Sequence, residues 1–198
     1  MTVTEALEKL KTYEQTSFAL GHAMGLLYYD GVTVAPKGAA AVRGDTSAEL
    51  SRIDYQLTTA PETVEMLETL MAAREELDAV TRRKVEEYWR SYDRTRRIPE
   101  EEFVAYQRLS IKADDVWQTA KETNDFALFE PYLQEMFDTL KRFALYWEPD
   151  KAPYETMLDN YERGLTIAAC DEFFAALRQK LVPLIQRVTA HADRMADA

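Results

Sequence analysis

Residues 3–31 read VTEALEKLKTYEQTSFALGHAMGLLYYDG, and their spacing decides the fold class. Val3, Leu7, Leu10, Tyr13, Leu20, Met24 and Leu27 fall at helical steps, which draws one stripe down the side of an α-helix. A strand would need alternation at every second position, and this stretch has none. Thr2 followed by Glu5 has the spacing of a capping box, in which two side chains satisfy amides at the open start of a helix. The stripe predicts a helix running to Asp30-Gly31, where a left-handed glycine stops it.

The same period governs the chain on either side of its loops. Val32 to Gly38, built around Pro36, reads as the clearest loop. A second helix is expected from Ala39 to Leu57, with Leu50, Ile53 and Leu57 inward. Pro61 opens a third, since proline in the first turn gives up no hydrogen bond, and Val64, Leu67, Leu70 and Met71 form its apolar face. A fourth runs from Asp78 to Arg96 with Val85, Trp89 and Tyr92 inward. Pro99 with Glu100, Glu101 and Glu102 starts a fifth, because acids complement the positive end of the helix dipole. It carries Phe103, Tyr106, Leu109, Ala113, Val116, Trp117 and Ala120 and breaks at Asn124-Asp125. Leu133, Met136, Phe137, Leu140, Phe143 and Trp147 line another, ended by Pro149-Asp150. Tyr154 to Tyr161 reads as a short turn, and a last helix is expected from Thr166 to Asp193, kinked at Pro183. The fold class is therefore all-α: a single array of about seven or eight packed helices, no sheet, with residues 1–198 as one helical domain.

Composition narrows the function. Hydrophobic residues make up 46% and charged residues 30% of the chain, a globular rather than a disordered balance. A formal net charge of -11 repels phosphate backbones, so no nucleic-acid partner is expected. No run approaches the roughly 18 apolar residues of a membrane span, and the start has no basic region leading into an apolar one. Neither a membrane nor a secretory destination is expected; a cytoplasmic location is. Cys170 is the lone cysteine, which excludes an intrachain disulfide. With Ala168, Ala169 and Phe173 around it, it reads as a small buried hydrophobe.

Two histidines, His22 and His191, limit the chemistry further. A helical zinc protease needs His-Glu-x-x-His, which sets two ligands and a general base on one helix face. Neither histidine has that partner. A di-iron bundle needs Glu-x-x-His, but Ala19 and Val188 stand three residues before the two histidines. No catalytic residue, no metal ligand and no cofactor of this chain is assigned. His22, among Gly21, Ala23 and Gly25, reads as structural, and His191 as solvated surface. Of Asp114-Asp115 only one can face inward, Glu100 to Glu102 read as a helix start, and Glu75-Glu76 with Arg82-Arg83 as a solvated turn.

Four stretches, taken in order, carry a resemblance. Residues 26–43 read LLYYDGVTVAPKGAAAVR. Ile98-Pro99 and Phe103 are followed by Trp117, Ala120, Asn124-Asp125-Phe126, Phe129, Pro131 and Leu133. Pro153-Tyr154, Leu158-Asp159, Tyr161-Glu162, Gly164 and Thr166 form the third, and Phe173, Leu177, Leu181 and Pro183-Leu184 the fourth. Together they resemble the amino-terminal region of the carboxypeptidase Taq family. Tyr29 stands where that family has Trp, Val34-Ala35 where Met is common, Thr46 where Gln is usual and Arg163 where proline is frequent. The resemblance implies a parent enzyme, a mainly helical and often dimeric zinc metallocarboxypeptidase that removes residues from peptide carboxyl ends. Zinc belongs to that full-length parent, and its ligand motif lies downstream of the region matched. The implied role is one wall of a peptide groove, with Asp30 and Arg43 as candidates for lining it; the plainer reading of that pair, and the one that weighs more, is a loop tied by an ion pair. The carboxyl-terminal catalytic half of the same fold is the implied partner, and a homodimer a second. The rival reading is a stand-alone helical interaction module derived from that family, without enzymatic activity.

Overall fold

The structure, a computed structural model, describes residues 1–191. Among them stand eight α-helices joined by short turns, with no strand. They are α1 (Val3–Thr33), α2 (Ala40–Thr59), α3 (Pro61–Ala72), α4 (Ala79–Thr95), α5 (Glu100–Thr123), α6 (Glu130–Trp147), α7 (Pro153–Tyr161) and α8 (Ile167–Thr189). The chain divides into two compact units, residues 1–146 and 147–198.

Local chemistry explains most of the boundaries. The Thr2 hydroxyl accepts from the Glu5 amide while the Glu5 carboxylate accepts from the Thr2 amide at 2.7 Å, so both halves of the capping box form. Pro61 opens α3, Asp78 caps α4 through the amides of Val80 and Thr81, and Thr166 caps α8 through Ala169. Asn124, in the left-handed region at φ 54°, closes α5.

Three expectations are corrected. Helix α1 runs through Gly31 to Thr33, because the amides of Val34 and Ala35 both still reach the Asp30 carbonyl, at 3.0 and 2.9 Å. What ends it is Pro36, which disfavours helical backbone in the residue before it. The segment from Tyr154 to Tyr161 is a helix, opened by Pro153 in its first turn. Helix α2 buries Ala40, Gly44, Ala48, Ser51 and Thr58, whereas Ile53 on its expected inner side is 43% exposed. Small residues let the backbone of a neighbour approach closely, and α2 packs most extensively on α5. In α8 the helix continues past Pro183 to Thr189; Asp193 lies outside the described residues.

The core of the first unit is Ala6, Leu10 and Tyr13 of α1 packed with Met66, Leu67 and Leu70 of α3 and Val85 of α4. Met66, Leu67, Leu70 and Val85 are the largest hydrophobic side chains completely enclosed among the described residues, and each contributes about 1.5–3 kcal/mol by leaving water. At the far side of α5, Tyr106 meets Phe143 of α6 edge-on with ring centroids 5.5 Å apart, and the Tyr146 hydroxyl donates to Glu102 at 2.8 Å. In the second unit the Asp159 carboxylate accepts from the Gly164 amide at 2.9 Å, which holds the turn between α7 and α8 at the one glycine with positive φ.

Candidate functional site

Helix α1 is buried at its root and bare beyond it. From Thr16 to Thr33 none of its residues is buried, and Phe18, Leu26, Tyr28 and Tyr29 are 74%, 56%, 69% and 65% exposed. Over this stretch α1, α2 and α5 enclose a cleft of about 380 Å³. Met24, Leu27, Val32 and Ile111 give it apolar walls, and Arg43 and Asp114 bring one charge of each sign. Ser47 and Gln107 add neutral hydrogen-bonding groups.

Arg43 is placed by a close approach to the backbone of α1. A Cβ on Gly31 would lie 2.6 Å from Arg43 Nε and 2.7 Å from its Cζ, so any side chain there would displace the guanidinium. Among the described residues Arg43 forms no ion pair with Asp30 or with any other carboxylate. Asp30, the other residue singled out from sequence, is exposed and does not line the cleft. Its main-chain carbonyl instead closes α1. Asp114, one of the adjacent pair of which only one could face inward, lines the cleft beside Ile111 and accepts from Gln118 Nε2 at 3.2 Å. The sequence signal that would have joined these residues is the glycine at the end of one helix paired with an arginine twelve positions on, across a proline turn.

Below the cleft the charges are paired and hold helices in register. Arg52 Nη1 donates to Glu100 and Glu101, each at 2.9 Å, fastening α2 to the first turn of α5; Glu101 is held below the usual carboxylate range by the Arg52 hydrogen bond. The Tyr88 hydroxyl donates to Glu14 at 3.2 Å, and its pKa is pushed up to about 12, first by desolvation and then by the Glu14 charge. Asp54 of α2 is raised by burial. His22 stands exposed with its ring stacked on Phe18 at 6.1 Å, and His191 shares its Nδ1 with the Arg187 carbonyl at 2.8 Å. Cys170 is half-buried. No group of three or more His, Cys, Asp or Glu that could hold a metal ion occurs among the described residues. No described helix is long and apolar enough to cross a membrane.

Eight helices without a strand among the described residues, and a cleft beside the long amino-terminal helix, define an all-α class. Residues 9–197 match the sequence model of the carboxypeptidase Taq (M32) metallopeptidases, and the chain belongs to that family. Carboxypeptidase 1 of Bacillus subtilis is 32% identical over 193 residues, covering 94% of this chain and 38% of that protein. The crystal structure of BsuCP superposes with a TM-score of 0.81 at 33% identity, over 90% of this chain and 37% of that one. Metallocarboxypeptidase 1 of Trypanosoma cruzi does so with a TM-score of 0.78 at 28% identity, over 98% and 39%. The chain thus spans under two fifths of the length of these relatives, and the match falls in their amino-terminal part.

Proposed function

We propose that this chain is the amino-terminal helical region of a cytoplasmic zinc metallocarboxypeptidase and forms one wall of the groove by which a peptide reaches the catalytic centre. The observation that carries the reading is the outer half of α1, where Tyr28 and Val32 are exposed and line a cleft with Met24 and Leu27, in a chain whose residues 9–197 match the family. Exposed apolar side chains gathered beside a concave surface are suited to cover by other polypeptide or by substrate. Arg43 lines that surface, and the Asp30 carbonyl, accepting from the Val34 and Ala35 amides, carries α1 to its end beside it. Zinc, when bound to the remaining polypeptide, would activate water for hydrolysis. This chain's part is to bind and orient, and its partner is the carboxyl-terminal half of the fold. Pairing with a second copy follows from the same family reading.

The test mixes the purified chain with a polypeptide carrying the carboxyl-terminal remainder of the Bacillus subtilis carboxypeptidase 1 and zinc. Neither part alone should trim a blocked dipeptide, whereas the mixture should co-elute and trim it. A single polypeptide joining the two parts should do the same, which covers a remainder that folds poorly alone. Trimming by this chain unaided, or a folded but inactive fusion, would reject the reading.

A further inference from the structure

We propose that the α1–α2–α5 cleft is a binding site for a free α-amino acid with an apolar side chain, its carboxylate on Arg43 and its ammonium on Asp114. The inference is a property of the first unit and does not rest on the groove-wall reading.

Four observations combine. The cleft, at about 380 Å³, falls in the range of roughly 300–1,000 Å³ typical of small-molecule sites, at its lower end. It presents one cation and one anion, and among the described residues neither is in an ion pair. The other arginines of the first unit all have partners: Arg52 has Glu100 and Glu101, Arg108 has Asp45, Arg142 has Glu102, and the rest are engaged likewise. Arg43 instead lies with its guanidinium close against the bare backbone of Gly31, and a planar guanidinium receives a carboxylate by two parallel hydrogen bonds. The apolar part of the lining is Met24, Leu27, Val32 and Ile111, which suits an aliphatic side chain.

Charge decides the ligand class. A phosphate or a dicarboxylate would bring two or more negative charges to one arginine beside an aspartate, and the surplus would be repelled. An amine without a carboxylate would meet Arg43. A zwitterion matches both groups, and a bidentate carboxylate is what a planar guanidinium receives best.

Calorimetric titration of the intact chain tests this with L-leucine as probe, beside leucinamide, which lacks the carboxylate, and N-acetyl-leucine, which lacks the ammonium. L-leucine should bind, and each blocked analogue should bind roughly tenfold more weakly or worse, since one charged contact is lost. Alanine should also bind more weakly, for want of a side chain against Val32 and Ile111. Arg43→Gln and Asp114→Asn should each reduce leucine binding by a similar factor. Gly31→Ala should do so too while leaving the circular dichroism spectrum and the melting transition intact, because alanine favours helix and only the tip of Arg43 must move. Arg108→Gln, outside the cleft, should bind as the parent does. No leucine binding at millimolar concentration, leucinamide or N-acetyl-leucine binding as well as leucine, or unchanged affinity in Arg43→Gln would each overturn the proposal.

Discussion

One helix shows two ways of using an apolar stripe. In its first third, α1 sets Ala6, Leu10 and Tyr13 into α3 and α4, where Tyr13 meets Tyr88 edge-on at 5.2 Å and Glu14 takes the Tyr88 hydroxyl and the Lys84 ammonium. In its outer half the stripe continues through Leu20, Met24 and Leu27, yet nothing there is buried. The two halves look alike in spacing because the period reports which side of a helix is apolar. It does not report whether that side is covered. The root contributes to the core, and the outer half leaves its apolar side uncovered in this chain.

Substitutions should separate the halves by size of effect. Leu67→Ala, which empties a fully enclosed position at the root, should cost about 2–5 kcal/mol in urea unfolding. A loss below about 1 kcal/mol would show that the root is not the main core. Ala48→Leu drives a large side chain into the small-residue face between α2 and α5 and should cost about 1–3 kcal/mol by overpacking. An unchanged melting curve would mean that α5 yields there.

Thr2→Ala removes the cap at the foot of α1 and should cost about 1 kcal/mol at neutral pH. Its pH dependence has a definite sign. Glu5 is held below the ordinary carboxylate range, first by the Thr2 amide and then by the Thr2 hydroxyl. A depressed carboxylate stabilises fully above its unfolded value of about 4.3 and loses that stabilisation as pH falls through its folded value. The gap between parent and Thr2→Ala should therefore be widest above about pH 5 and shrink in acid. A constant gap down to about pH 2 would remove the Glu5 contribution. Tyr29→Ser, on the bare half, should change stability by no more than about 0.5 kcal/mol; a loss above 1 kcal/mol would join the outer half to the core.

Much of the fold was legible because its signals are local. Thr2 with Glu5, Pro61, Asp78, Pro99 and Thr166 each satisfy or dispense with amides within four residues, and each marks a helix start in the structure. Large apolar side chains at Leu67, Leu70 and Val85 pointed correctly inward. Bulk points to the wrong face of α2, where Gly44, Ala48 and Ser51 are buried for being small. The end of α1 was misplaced because glycine was read as a stop, when Gly31 stays helical and serves the neighbouring arginine. Of the two charges of the cleft, Arg43 is among the residues singled out from sequence, and Asp114 is one of a pair of which either could face inward. Their meeting depends on how α2 and α5 cross, and no spacing within either helix encodes a crossing.

The unbroken length of α1 has a mechanical consequence. At about 1.5 Å per residue, roughly 30 Å of stiff rod separates its anchored root from its outer end. A tilt of about 5° at the root would swing that end through about 2–3 Å, comparable to the width of a methyl group. A change in how tightly Leu10 and Tyr13 are gripped would therefore register at Gly31, where α1 lies against Arg43.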